Sequence, residues 1–182
     1  DINVVAYGRQ FLTDPGMPHT YSDGSYNTWY RRTCAHNTIE IDGQDMPYAA
    51  GDRGTFFTGG PFDFLAVNSD VYKGLGVTTY LRQILFIRDG FWVVDDYLAG
   101  QGEHTYKWLG HYQPMPLEVD AQAGSVVTTN AKGPNLGLFA TSPLPLTIES
   151  ARGLMNLPCD HLCEEVPDAP YITLTTRGAL PA

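Results

Sequence analysis

The chain has 182 residues, of which 43% are hydrophobic and 17% charged, with a net charge of -9. That length holds one domain with a real core, and the composition excludes a disordered chain. The acidity argues against nucleic acid as a partner, and the longest apolar runs, such as residues 84–87, are far too short for a membrane helix.

In chain order, residues 2–12 are strand-like, and no signal-peptide pattern is expected in this opening. The opening Asp1-Ile2-Asn3-Val4-Val5 lacks a Met and is already in strand-like sequence. We therefore expect the chain to be cut from a longer one. Residues 38–42 alternate polar and apolar, and Gly43 follows as a turn. Residues 64–69 and 79–87 are further strands. Arg88-Asp89-Gly90 makes a tight turn with Asp-Gly at positive φ, and residues 91–94 return as a hairpin. Strands are also expected at 105–112, 125–130, 136–141, 146–149 and 171–176. Two long loops remain, 13–35 and 151–170. The pattern predicts an all-β fold, an antiparallel two-sheet sandwich spanning residues 1–182 as one domain.

Cys34, Cys159 and Cys163 are odd in number, so no disulfide framework is expected. Cys159 and Cys163 flank His161, but no fourth ligand lies at a usual zinc spacing. We read that segment as a Pro-rich surface loop with ordinary thiols or one local disulfide.

The first loop concentrates chemistry. It begins Asp14-Pro15-Gly16 and ends Ala35-His36-Asn37-Thr38, with His19, Tyr21, Tyr26, Trp29, Tyr30, Arg31 and Arg32 between. Asp and His are ordinary zinc ligands, Tyr can transfer protons, and Arg can hold a carboxylate. Each also has a plain alternative. Asp14 could open a turn, His36 could bond within the core, and the aromatics could simply pack. His104 and His111, beside an aromatic-rich strand, are read as structural. His19 could reach a cleft.

Several segments of this chain resemble the heparinase II/III-like family of polysaccharide lyases. They are Ala6-Tyr7-Gly8-Arg9, Leu12 to Gly16, Trp29 to Thr38 and Ile41-Asp42-Gly43-Gln44, with weaker matches through Val94-Asp95-Asp96, Gly102-Glu103-His104 and His111 to Pro114. The resemblance implies the β-sandwich that follows a helical toroid, with the catalytic cleft between the two. It implies zinc, or another divalent metal, held by a His, an Asp and a second His. Asp14 matches the Asp and His36 the second His. The first His is expected upstream of Asp1, which leaves the site incomplete in this chain. Tyr21, with Tyr26 as the fallback, matches the tyrosine that alginate-acting members supply for β-elimination. Trp29, Arg31 and Arg32 are candidate substrate-binding or loop-bracing residues. The implied partners are an acidic polysaccharide or oligosaccharide, the toroid and a possible second copy, with no nucleic acid and no membrane. The implied location is periplasmic or secreted. Two alternatives are a carbohydrate-binding module without catalysis and part of a uronyl C5-epimerase.

Overall fold

The computed structural model describes residues 1–18, 20–49, 52, 54–88, 90–157 and 164–181. Its strands are β1 (Val4–Ala6), β2 (Arg9–Leu12), β3 (Ile39–Ile41), β4 (Thr55–Gly59), β5 (Phe62–Ser69), β6 (Val77–Ile87), β7 (Trp92–Gly100), β8 (Glu103–His111), β9 (Leu117–Asp120), β10 (Ser125–Thr128), β11 (Gly137–Phe139), β12 (Leu146–Leu157) and β13 (Glu164–Ala179). Helical structure among the described residues is confined to single turns, such as Tyr26–Tyr30 and Thr33–Ala35. The fold is an antiparallel β-sandwich, as the period-two pattern requires.

Two compact units make up the chain. The first comprises Asp1–Asp45 and Thr105–Arg177. It holds a sheet of order β12-β13-β8-β3, a sheet of order β11-β10-β9 and the β1-β2 ribbon. Phe11 and Leu12 from the ribbon, Val126 from β10, Ile148 from β12 and Ile172 from β13 meet Tyr112 and Met115 in one buried core. Burying each large apolar side chain contributes about 1.5–3 kcal/mol. The second unit, Met46–His104 with Gly178–Ala182, is built on a meander of order β4-β5-β6-β7. There Arg82 forks onto Asp96 across β6 and β7, at 2.7 and 2.8 Å.

Several expectations change in the folded chain. Residues 2–12 are not one strand. Tyr7 (φ 50°) and Gly8 (φ 73°) turn the chain back on itself, and Ala6 pairs with Arg9. Gly8 takes a positive φ at no steric cost, while Tyr7 does so against its Cβ, so the Tyr-Gly pair is a poor sequence signal. Strands β4 and β9 were not anticipated. The β6-β7 hairpin forms with Phe86 opposite Trp92, and its turn is closed by the Gly90 N–H on the Ile87 carbonyl at 3.0 Å and the Ile87 N–H on the Phe91 carbonyl at 2.9 Å. Asp89 lies outside the described residues.

The largest correction concerns the second loop. Residues 151–157 and 164–170 continue β12 and β13 as a long hairpin, with Arg152 opposite Pro170 and Asn156 opposite Glu165. Pro167 and Pro170 argue against a strand, because proline cannot donate to a ladder. The chain accommodates Pro167 with a bulge. Gly153 pairs with Ala169 and Met155 with Val166, so Leu154 alone faces Pro167 and Asp168. The Leu154 carbonyl instead accepts the Trp29 indole N–H at 2.7 Å. The indole lies where a residue-153 side chain would go: a Cβ there would stand 2.2 Å from Trp29 Cζ2. Gly153→Ala is therefore expected to cost about 1–3 kcal/mol through overpacking. In a Trp29→Ala background that cost should largely vanish. Urea unfolding of the two single variants and the double variant measures the coupling, and equal costs in both backgrounds would show that Trp29 is not the clash.

Candidate functional site

The loop that leaves β2 is tied down from its first residue. Thr13 donates its N–H to the His111 carbonyl at 3.0 Å, at the end of β8. Asp14 donates its own N–H to Asn3 Oδ1 at 2.8 Å, and its Oδ1 accepts the Gly16 N–H at 2.8 Å. Asn156 of β12 then holds the next residues: its N–H reaches the Pro15 carbonyl at 2.7 Å, and its side-chain amide bonds the Met17 carbonyl. These bonds leave Asp14 Oδ2 as the outward-facing oxygen.

The other end of the loop returns to it. After the turn Thr33–Ala35, His36 is extended, and its Nδ1 lies 2.8 Å from Asp14 Oδ2 and 3.4 Å from Asp1 Oδ2. Asp1 is oriented through its second oxygen, which accepts the Asn37 N–H at 2.7 Å and the Ile2 N–H at 3.0 Å. The structure thus brings Asp14 and His36 together, as the family resemblance implied, and adds Asp1. Burial works against the charge on Asp14, but the His36 and Gly16 hydrogen bonds and the His36 charge outweigh it and hold the carboxyl below its ordinary range.

One ligand atom from each of these three residues lies within 4.8 Å of the others. Donor pairs around a tetrahedral zinc stand about 3.3–3.6 Å apart, given bonds of about 2.0–2.2 Å. The Asp1–His36 separation of 3.4 Å matches that spacing, whereas Asp14 and His36, at 2.8 Å, stand at hydrogen-bond distance. Two carboxylates against one imidazole also leave excess negative charge at the cluster. The residues present fit a divalent cation in donor type and charge, and a bound cation would part Asp14 and His36 by about 0.5 Å.

Behind the cluster, His111 is 2% exposed. Tyr171 stacks on its ring at 4.9 Å, and Trp29 meets it edge-on at 6.0 Å. Asn37 Oδ1 accepts the His111 backbone N–H at 2.6 Å and faces its Nδ1 at 3.2 Å. An amide oxygen can only accept, so Nδ1 carries the proton of the neutral ring.

The remaining loop residues have distinct surroundings. Tyr21 is 66% exposed and meets the half-buried Tyr26 edge-on, with ring centroids 5.0 Å apart. Trp29 is half-buried and anchored to β12, which makes it a brace of the loop whatever else it touches. Arg32 pairs with Asp45 at 2.5 Å, and Asp45 also accepts the Thr33 N–H at 2.9 Å. Arg31 is exposed and reaches only a marginal 3.4 Å contact with Asn27. Tyr30 is buried and donates to Glu165 at 2.9 Å, and burial and that carboxylate push its phenol well above the usual range. His104 faces the Gln101 carbonyl at 3.1 Å. His19, Cys159, His161 and Cys163 lie outside the described residues. Sequence reasoning missed Asp1 and Asn37. Asn37 stood beside His36 in the motif, whereas nothing local marked Asp1.

Burial, and then the neighbouring His36, lower the His111 pKa from 6.5 to about 4. Between those values the unfolded chain takes up a proton that the folded chain refuses. The stability contributed by neutral His111 is therefore complete above pH 6.5 and is lost as pH falls toward 4, at up to about 1.4 kcal/mol per pH unit. His111→Gln should flatten this part of the stability–pH curve, as measured by urea unfolding from pH 4 to 7. An unchanged slope would remove His111 as its source.

Residues 2–152 match the family described as Heparinase II/III-like, C-terminal. A heparin-sulfate lyase of Pedobacter heparinus is 29% identical over 135 residues, which are 71% of this chain and 20% of that protein. A heparin-sulfate lyase of Bacteroides stercoris is 23% identical over 151 residues, 80% of this chain and 22% of that protein. The crystal structure of a heparan sulfate lyase from Pedobacter heparinus superposes with a TM-score of 0.81 at 20% identity, covering 97% of this chain and 29% of that one. The chain therefore spans about a fifth of the length of the curated relatives it matches. With the family match covering residues 2–152, the chain belongs to the heparinase II/III-like C-terminal family.

Proposed function

We propose that this chain is the sandwich part of a polysaccharide lyase that cleaves a uronic-acid-containing polysaccharide of the heparan sulfate class by β-elimination, outside the cytoplasm. The observation that carries the reading is the Asp1–Asp14–His36 cluster, set at both ends of the loop that presents Tyr21 and Tyr26, in a chain of this family. Asp1, Asp14 and His36 would hold a divalent cation, zinc by donor type. When bound, the cation would supply fixed positive charge that braces the loop.

In β-elimination the C5–H bond beside the uronate carboxylate breaks, the C4–O bond breaks, a C4=C5 double bond forms, and the leaving oxygen takes a proton. A tyrosine phenol can serve as the proton-transfer group. Tyr21 is the better placed of the two, because its exposure lets the hydroxyl meet a polymer from solution. Trp29 and Tyr30 hold the loop's backbone against β12 and β13. Arg32 is committed to Asp45, which leaves Arg31 as the loop's candidate for a uronate or sulfate group.

The test uses the polypeptide that carries this sequence, with heparan sulfate as substrate and the near-ultraviolet absorbance of unsaturated uronate as readout. Tyr21→Phe should lower kcat by about 10²–10⁴-fold while the fold persists. Tyr26→Phe should change it less than about tenfold. Arg31→Ala should raise KM more than Arg32→Ala does. If kcat survives Tyr21→Phe and collapses with Tyr26→Phe, the tyrosine assignment is reversed. If neither change slows turnover tenfold, this loop does not supply the proton. Cleavage of alginate but not of heparan sulfate would move the substrate class.

A further inference from the structure

We propose that Asn37 is a positioning residue for the Asp1–Asp14–His36 cluster, holding Asp1 and His36 at ligand spacing by joining the ends of three chain segments. The proposal rests on the metal reading above.

Asn37 is completely buried. Its Nδ2 donates to the Ile2 carbonyl at 2.7 Å, and its Oδ1 accepts the His111 N–H at 2.6 Å. A backbone N–H on one side and a carbonyl on the other allow only one orientation of the amide, so the side chain is locked. Its main-chain N–H donates to Asp1 Oδ1 at 2.7 Å. That bond decides which oxygen Asp1 presents: Oδ1 is engaged, and Oδ2 turns toward His36 at 3.4 Å. Asp1 and Ile2 on one segment, His36 on the second and His111 on the third are therefore all within one residue of an Asn37 bond. Asp14 joins the same frame through His36 and through Asn3. The main-chain bond to Asp1 would be made by any residue except proline; what the Asn37 side chain adds is the link from the Ile2 carbonyl to the His111 N–H, which fixes the segment carrying Asp1 against the end of β8.

Loss of the Asn37 amide would leave the Ile2 carbonyl and the His111 N–H buried without that partner and let the two segments shift independently. Groups that orient metal ligands typically contribute about 10–100-fold in metal affinity. The experiment titrates zinc chloride alone into the unchanged chain, Asn37→Ala, Asn37→Ser, Asp14→Asn and Thr128→Ala, by calorimetry and by the zinc-induced rise in Tm. Asn37→Ser keeps the measurement possible if Asn37→Ala does not fold. Thr128 is a buried control in β10, bonded to Asn135 at 3.0 Å and to the Leu136 N–H at 2.8 Å, so its loss tests general destabilisation. We expect zinc affinity to fall at least tenfold in the Asn37 variants and to stay within about threefold in Thr128→Ala. Affinity within threefold of the unchanged chain in both Asn37 variants would overturn the positioning role while leaving the metal reading intact. An equal loss in Thr128→Ala would reduce the effect to general destabilisation and overturn it too. No zinc uptake by the unchanged chain, as in Asp14→Asn, would overturn the metal reading and this inference with it.

Discussion

The indole hydrogen bond from Trp29 to Leu154 is the contact on which the arrangement of the first loop depends. A ladder interrupted by Pro167 leaves a carbonyl to be satisfied elsewhere, since buried backbone groups are costly to leave unpaired. Trp29 supplies the donor, and Gly153 supplies the room. Once the indole is seated, the ring lies against Tyr171 and His111, and the adjoining Tyr30 reaches Glu165 on the opposite strand. The middle of the loop is thus fastened to the hairpin β12-β13, while its ends are fastened to each other through Asp14 and His36. Tyr21 lies between these fixed points, and it is the solvent-facing aromatic of the pair it forms with Tyr26.

The electrostatics follow from the same packing. The chain is acidic overall, which does not favour an anionic polymer at long range. Any recognition of such a polymer has to be local, through a guanidinium that is not already neutralised or through a cation offsetting Asp1 and Asp14. His111 contributes no charge of its own near neutral pH, because it is buried among aromatics. The imidazole beside the carboxylates is His36, and it is the accessible one, with 31% of its side chain exposed.

The fold class could be read from the sequence because alternation along strands such as residues 38–42 and 79–87 is a local signal. Most of the misread parts were those decided by distant partners. Pro167 discourages a strand locally, and only the opposing Leu154 and the arriving Trp29 make the bulged hairpin stable. Tyr7-Gly8 turns the chain although Tyr seldom adopts positive φ. Asp14 and His36 could be paired in advance through a family resemblance; their residue types alone left a turn opener and a core histidine as the readily available readings. Asp1 carried no signal at all, since its place in the cluster is set by the Asn37 N–H some 36 residues away.

Those separations bear on how the chain folds. Asp14 and His36 are 22 residues apart, Asn37 and His111 are 74 apart, and Trp29 and Leu154 are 125 apart. Contacts that close long loops form slowly, because the chain loses its entropy of loop closure before the contacts return stabilisation. The Asp–His pair can meet early, within a local excursion of the chain. The frame that orients it is complete only after β8 and the β12-β13 hairpin have docked. A collapsed intermediate would therefore present Asp1, Asp14 and His36 without their fixed spacing, and any cation uptake by this cluster would belong to the last stage of folding rather than its nucleation.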